Sequence, residues 1–220
     1  MDRRELLKMI AVVTGGAVIG GEFLLSGCKN TSSTLGGAAF TAEDIAFLDE
    51  VADTILPTTA GSPGAKAAKV GQFMTVMVND CYNDADQKIF HEGIKQLNEA
   101  ADKKFSKDFM ALTPEQKKEL LIEIDKAAKD DKKKADDFFK DLTTEQKRDM
   151  SLAQNKDGKD PKAEKYRESP NYYFTMMKQL TLFGYFTSKE GATQALRYVP
   201  VPGKYEGCID YKKGDKAWAT

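Results

Sequence analysis

Apolar residues recur at helical spacing along most of the chain after residue 40. In residues 70–81 they fall at i, i+3, i+4, i+7, i+8 and i+11, at Val70, Phe73, Met74, Met77, Val78 and Cys81. Such spacing puts one apolar stripe on one face of a helix, with the Cys81 thiol on the inward side. Residues 84–101 repeat the pattern, with Phe90, Ile94, Leu97 and Ala101 turned inward. We therefore expect an all-α fold: a single multi-helix domain with one helical core.

Two helix starts are marked by capping signals. Thr41, followed by Asp44, and Thr113, followed by Pro114 and Gln116, match the pattern in which two side chains satisfy the first amides of a helix. Pro57 ends the first of these helices, whose apolar face is predicted to hold Ile45, Leu48, Ala52 and Ile55. A separate short helix is expected at 136–140, and the polar stretch 155–169 is predicted to be an exposed loop.

The segment 172–186 is apolar on nearly every side, which is typical of a helix that is central or covered by a partner. A short helix to about residue 197 should follow. The alternating prolines beyond it predict an extended C-terminal tail that is unusually aromatic. Such aromatics either pack on the domain's own core or bind a partner. The candidate interface residues are Tyr185, Tyr198, Pro200, Pro202, Tyr205 and Trp218.

The N-terminus has the features of an export signal. Its cationic start carries a twin-arginine pattern, formed by Arg3, Arg4, Leu6, Leu7 and Lys8. A short, glycine-rich apolar stretch follows and ends at Leu25-Ser26-Gly27-Cys28, a lipobox whose thiol would be acylated. We predict a cleaved signal peptide at 1–27, a flexible tether at 28–39 and the helical domain at 40–220. The alternative is a retained N-terminal membrane anchor.

Composition and cysteine content limit which partners and which disulfide bonds are expected. The net charge is −1, with no basic stripe for nucleic acid. Acylation of Cys28 leaves Cys81 and Cys208, and an even number of cysteines in an oxidising compartment suggests that they form a disulfide. Two unpaired thiols, or a bond to a partner chain, are the alternatives.

The residues needed for a reaction centre are scarce. His91 is the only histidine, and it lies in a predicted helix with no nucleophile nearby in sequence. Haem-attachment and dinucleotide-binding motifs are absent from the sequence. Residues 79–86 resemble a calcium loop but lack its glycine and closing glutamate, so they fit a helix end followed by an N-cap better. We expect no catalytic, metal or cofactor site in this chain.

Several of these segments resemble the gluconate 2-dehydrogenase subunit 3 family. The most specific are Gly184-Tyr185-Phe186-Thr187-Ser188 and Pro202-Gly203-Lys204-Tyr205-Glu206-Gly207-Cys208, together with the twin-arginine start and the segment from Phe40 to Pro57. The resemblance implies a non-catalytic small subunit in a complex where a large FAD-containing subunit oxidises a sugar or sugar acid and a multi-haem cytochrome c takes the electrons.

In such a complex the small subunit carries the export signal for the flavoprotein. A non-covalent flavin is held only by a folded protein, so it must be loaded before the complex crosses the membrane. The lipobox adds an anchor on the periplasmic side of a bacterial membrane. The alternative function is a free-standing, lipid-anchored periplasmic binding module.

Overall fold

The computed structural model describes residues 39–157, 160–201, 203–204 and 207–219. The chain divides into two units, residues 1–39 and 40–220, and the helices described here belong to the second. They are α1 (Ala42–Ile55), α2 (Val70–Cys81), α3 (Asp84–Phe105), α4 (Pro114–Asp141), α5 (Thr144–Asp157), α6 (Pro161–Arg167) and α7 (Tyr172–Thr187), with a 3-10 turn at Phe109–Ala111 and a π-helical turn at Gly191–Ala195. Every regular element among the described residues is helical, which confirms the predicted all-α class.

Both predicted capping boxes are present. The Thr41 hydroxyl accepts from the Asp44 amide at 3.1 Å, and the Asp44 carboxylate accepts from the Thr41 amide at 2.8 Å. Thr113 and Gln116 make the same reciprocal pair, at 3.3 and 3.0 Å, ahead of Pro114. Each box satisfies two amides that a helix start otherwise leaves without partners.

Helix α7 is the centre of the domain. It packs against α1, α2, α3 and α4, so most of its apolar surface is buried within the chain itself. The side chains buried along it are Tyr173, Phe174, Met176, Met177, Leu180, Thr181 and Tyr185. Burial raises the pKa of the Tyr173 hydroxyl to about 12. The all-round apolar character of this segment thus mainly reflects a central position.

The first two helices lie very close together. The Asp49 carboxylate of α1 accepts from the Gly71 amide in the first turn of α2, at 2.7 Å. A Cβ at Gly71 would fall 2.5 Å from the Ile45 carbonyl oxygen, so only glycine fits this approach. The buried face of α1 is rotated from the predicted one, because Phe47 and Val51 join Leu48 and Ala52 in the core while Ile45 stays half-buried.

Two other predictions fail between residues 114 and 169. Helix α4 runs without interruption to Asp141, so no separate helix begins at 136. The predicted loop contains α6, whose Arg167 donates to both carboxylate oxygens of Asp86 in α3, at 2.6 and 3.0 Å. This two-bond ion pair stabilises a short polar helix that composition alone assigns to a loop. Because its residues are 81 positions apart, the local sequence pattern does not predict it.

A second long-range ion pair joins α1 to α4. The Lys117 ammonium donates to Glu50 at 2.8 Å, and only 9% of the Lys117 side chain is exposed. This hydrogen bond is the main reason that the pKa of Glu50 lies below its ordinary value. Lys66 reaches the other oxygen of the same carboxylate at 3.0 Å. The ion pair between Glu50 and Lys117 therefore helps to hold α1 against α4. The exposed Lys66 adds little to this stabilisation.

Candidate partner-binding surface

An exposed apolar cluster lies where α2 meets α7. We call it the α2–α7 surface; it consists of the half-buried Phe73 and the exposed Val76, Leu182, Phe183 and Phe186. Val76 and Phe183 are each 51% exposed, and Leu182 and Phe186 are also exposed. On α7 the spacing i, i+1, i+4 puts the three residues on one face, and Val76 lies one turn beyond Phe73 on α2. Clusters of exposed apolar side chains are typical of surfaces that interact with another protein or with a membrane.

Close packing fixes the geometry of this surface. The rings of Phe73 and Phe183 pack edge to face with their centroids 5.6 Å apart. Gly184 lies directly beneath Phe73, because a Cβ at this glycine would come within 2.5 Å of Cδ1 of that ring. The missing side chain lets Phe73 lie against α7, so the two aromatic rings form one continuous patch.

Tyr185 is not part of this surface. The sequence places it among the interface candidates, but the structure leaves it only 2% exposed. Its hydroxyl donates to the Pro63 carbonyl and contacts Ser62 Oγ at 2.5 Å, so the ring fastens the end of α7 to the α1–α2 connection. The interface prediction for Tyr185 is wrong because its position, one residue past Gly184, turns it towards the connection and not towards solvent.

The residues next to Tyr185 in the sequence close the end of the same helix. Ser188 Oγ donates to the Tyr185 carbonyl at 2.7 Å and accepts from the Gly191 amide at 3.0 Å. The predicted helix after Ser188 is a single π-helical turn that ends at Ala195. The resemblance to a known family thus rests partly on residues whose role in this chain is structural.

The C-terminal tail is exposed and partly tied down. Tyr198, Pro200 and Trp218 are exposed, while Pro202 and Tyr205 lie outside the described residues. The end of the tail lies next to its beginning, because Arg197 forms a parallel β-bridge with Trp218. The described part of the tail therefore exposes apolar side chains that lie outside the core cluster.

The predicted disulfide is not formed in the structure. Cys81 and Cys208 are both free and exposed. Cys81 is the last residue of α2 and lies beyond Val78, the last residue that is buried along this helix. Its expected inward position is therefore wrong as well.

His91 and residues 79–86 take part in structural contacts, although His91 Nε2 is buried with no hydrogen-bond partner among the described residues. His91 stacks on Phe40 with ring centroids 4.0 Å apart, and burial lowers the pKa of its imidazole. Residues 79–86 form the end of α2 and the N-cap of α3, where Asn83 accepts from the Asp86 amide at 3.0 Å. Within the described ranges no group of three or more acidic, histidine or cysteine side chains is placed to hold a metal ion.

Two surface cavities are candidates for ligand sites. The one between α1, α4 and α7, of about 260 Å³, is smaller than typical small-molecule sites of about 300–1,000 Å³. Lys178 at its edge is paired with Asp125 at 2.6 Å. The other, of about 660 Å³, lies between the first turns of α3 and α6. Arg167, the one cation among the described residues that line it, is held by Asp86 and Glu164. The first cavity has an apolar lining that includes Ile55, Leu121 and Phe174 but is small, and the Arg167 cation of the second is already paired, so neither is assigned as a ligand site.

The export-signal residues Arg3, Arg4, Leu6, Leu7 and Lys8 and the acylation candidate Cys28 lie outside the described residues. Among the helices that are described, none combines the length and apolar character needed to span a bilayer.

Comparison with curated proteins and with solved structures gave no significant match. The sequence profile of one family, described as gluconate 2-dehydrogenase subunit 3, matches residues 42–203, which is most of the helical domain. The match begins at α1 and extends past α7 and the turn that closes it, so it includes the whole α2–α7 surface. This chain belongs to the gluconate 2-dehydrogenase subunit 3 family, and is thus related to an accessory subunit of a dehydrogenase complex.

Proposed function

We propose that this chain is a non-catalytic subunit that binds a large, FAD-containing sugar or sugar-acid dehydrogenase, takes it through the twin-arginine route and tethers it to the membrane by the lipid on Cys28. The observation that carries the proposal is the α2–α7 surface in a chain of this family. A subunit whose own core is complete but which exposes clustered aromatic rings is suited to association.

The electrons would pass to a multi-haem cytochrome c, on the periplasmic side of a bacterial membrane. The co-export step follows from the cofactor. FAD bound without a covalent link requires a folded enzyme, so the enzyme must be exported in its folded state. One twin-arginine signal can serve two chains that are already bound to each other.

The binding step is tested by surface variants of the tagged full-length chain expressed in its native cells. Phe183→Ser should reduce the amount of flavoprotein that copurifies, because it removes an exposed ring at the centre of the surface. Ile122→Ser is a matched control, since Ile122 is 58% exposed but lies on α4, outside the surface. Flavin absorbance and sugar-acid oxidation with an artificial electron acceptor identify the captured protein.

A wild-type chain that is monodisperse and captures no flavin-containing dehydrogenase would contradict the proposal and favour the free-standing binding module. Export and anchoring are tested separately. Replacing Arg3 and Arg4 by lysine should leave both this chain and its partner in the cytoplasm. Cys28→Ala should release the chain from membranes or leave its signal uncut, whereas a mature chain without acyl groups would refute the anchor.

A further inference from the structure

The structure points to a second, separate contact region in the C-terminal tail. We propose that Arg197 and Trp218 form a clasp that presents the exposed segments 198–201 and 207–211 to the large dehydrogenase subunit. This inference rests on the proposed function. It makes Arg197 and Trp218 positioning residues that hold the contact segments, whereas the sequence suggested that Trp218 is itself a contact.

The clasp joins the two ends of the tail by backbone and side-chain contacts. The Arg197 amide donates to the Ala217 carbonyl at 2.8 Å, and the Ala219 amide donates to the Arg197 carbonyl at 2.9 Å. The Arg197 guanidinium carbon lies 4.1 Å from the centre of the Trp218 ring, a cation–π contact. Arg197 Nε is buried with no acceptor among the described residues, so stacking on Trp218 is the main interaction seen for this side chain.

Further contacts fix the returning segment to the domain. Lys216 donates to the carbonyl of Gly61 at 3.3 Å and to that of Gln194. A turn precedes it, in which the Lys212 amide donates to the Asp215 carboxylate and the Asp215 amide donates to the Lys212 carbonyl, both at 3.0 Å. The second end of the tail is thus attached next to the α1–α2 connection.

Between its two attached ends the tail turns apolar side chains outward. Val201 is 81% exposed and Tyr211 is 76% exposed, and Tyr198, Val199 and Ile209 are exposed as well. None of these five belongs to the hydrophobic core cluster found among the described residues. A segment whose described apolar side chains lie outside the core and which is held at both ends is suited to binding, because less conformational entropy is lost when a partner covers it.

Charge and family membership together favour a protein partner. Residues 207–219 carry Asp210 and Asp215 against Lys212, Lys213 and Lys216, a near balance that gives little attraction to an anionic membrane. Since the chain belongs to a family of dehydrogenase subunits, the occupant is the large subunit of its complex. The family match ends at residue 203, so Trp218 and its half of the clasp add contacts beyond the shared domain.

The test compares clasp variants with a contact variant in the complex purified from native membranes through the tagged full-length chain. Large subunit separated from the wild-type complex is titrated against each variant. Trp218→Ala and Arg197→Ala should each weaken binding about 2- to 30-fold, the range of one cation–π contact. Trp218→Phe keeps a ring for the guanidinium and should restore most of the affinity. Tyr211→Ala should weaken binding with the clasp intact.

Two further readouts separate positioning from folding. Limited proteolysis should cut the tail faster in the two alanine clasp variants but not in Tyr211→Ala, while thermal unfolding of the domain stays unchanged in all three. If wild type binds the flavoprotein and the clasp variants bind equally well, the inference is overturned while the proposed function stands. If wild type binds no flavoprotein, both are overturned.

Discussion

The buried ion pair between Glu50 and Lys117 allows a sharp test of how the helices are held together. Glu50→Gln keeps the shape of the side chain and removes its charge. The ammonium of Lys117, whose side chain is 9% exposed, would then lie between α1 and α4 without a carboxylate. We expect this variant to be much less stable than the wild type, because a buried charge that has lost its partner is costly.

The magnitude follows from the burial of the two groups. Removing one member of a fully buried pair costs about 3–5 kcal/mol, and a hydrogen bond to a charged group contributes about 1.5–3 kcal/mol. Since the Glu50 side chain is 22% exposed, water relieves part of this cost. We place the loss for Glu50→Gln at about 2–4 kcal/mol, with the midpoint of thermal unfolding lowered by about 5–15 °C.

The matched control is Lys117→Met, which removes the buried charge and fills the same space. It should cost less than about 1.5 kcal/mol, because the remaining Glu50 carboxylate is partly exposed and keeps Lys66 at 3.0 Å. The double variant should be more stable than Glu50→Gln alone, since it no longer contains the isolated ammonium.

The assay is urea unfolding followed by circular dichroism, at neutral pH and at pH 4. The pKa of Glu50 is lowered in the folded state, so its contribution is present above the unfolded value near 4.5 and is lost as the pH falls through the folded value. The wild-type advantage over Glu50→Gln should therefore shrink on acidification. Equal losses in the two single variants, or a loss below about 0.5 kcal/mol in Glu50→Gln, would refute the reasoning.

Three further predictions concern other parts of the domain. Burial lowers the pKa of His91, so protonation favours the unfolded state and stability should fall as pH drops below about 6.5; His91→Gln should flatten unfolding free energies measured between pH 5 and 7. Arg167→Lys keeps the charge but loses the two-bond contact with Asp86, and should cost about 1–2 kcal/mol and speed hydrogen exchange in α6; unchanged exchange would contradict this. Gly184→Ala should displace the Phe73 ring and cost about 1–3 kcal/mol in thermal unfolding, and a fully stable variant would show that the ring moves freely.

Local sequence signals predict the helices of this domain well. The capping residues Thr41 and Thr113 mark the starts of α1 and α4, and the inward positions Phe90, Ile94 and Leu97 are all buried. These features depend on neighbours within one or two helical turns, which periodicity and capping chemistry describe directly.

Long-range contacts are harder to predict. Helix α6 is held by the ion pair between Arg167 and Asp86, which are 81 positions apart. The Tyr185 hydroxyl donates to the Pro63 carbonyl, 122 positions away. The sequence pattern of a single helix does not identify either of these distant partners. The same limit explains Cys81, whose apolar spacing predicts a buried thiol although burial along α2 ends at Val78.

The candidate surface was only partly predictable for a related reason. The apolar character of 172–186 indicated burial, within the domain or by a partner, but it could not separate Leu182, Phe183 and Phe186 from the buried residues of the same helix. That separation depends on which faces of α7 are covered by α1, α2, α3 and α4. The exposure of the tail around Tyr198 agrees with its prolines, whereas its return to Arg197 has no sequence signature.

The connection between α1 and α2 is held at two points. The Tyr185 hydroxyl donates to the Pro63 carbonyl, and the Lys216 ammonium donates to the Gly61 carbonyl. Loosening this connection would release the last turn of the central helix and the returning tail in the same event. Amide protons in these three stretches should therefore exchange with solvent as one cooperative group, separately from the distant end of α4.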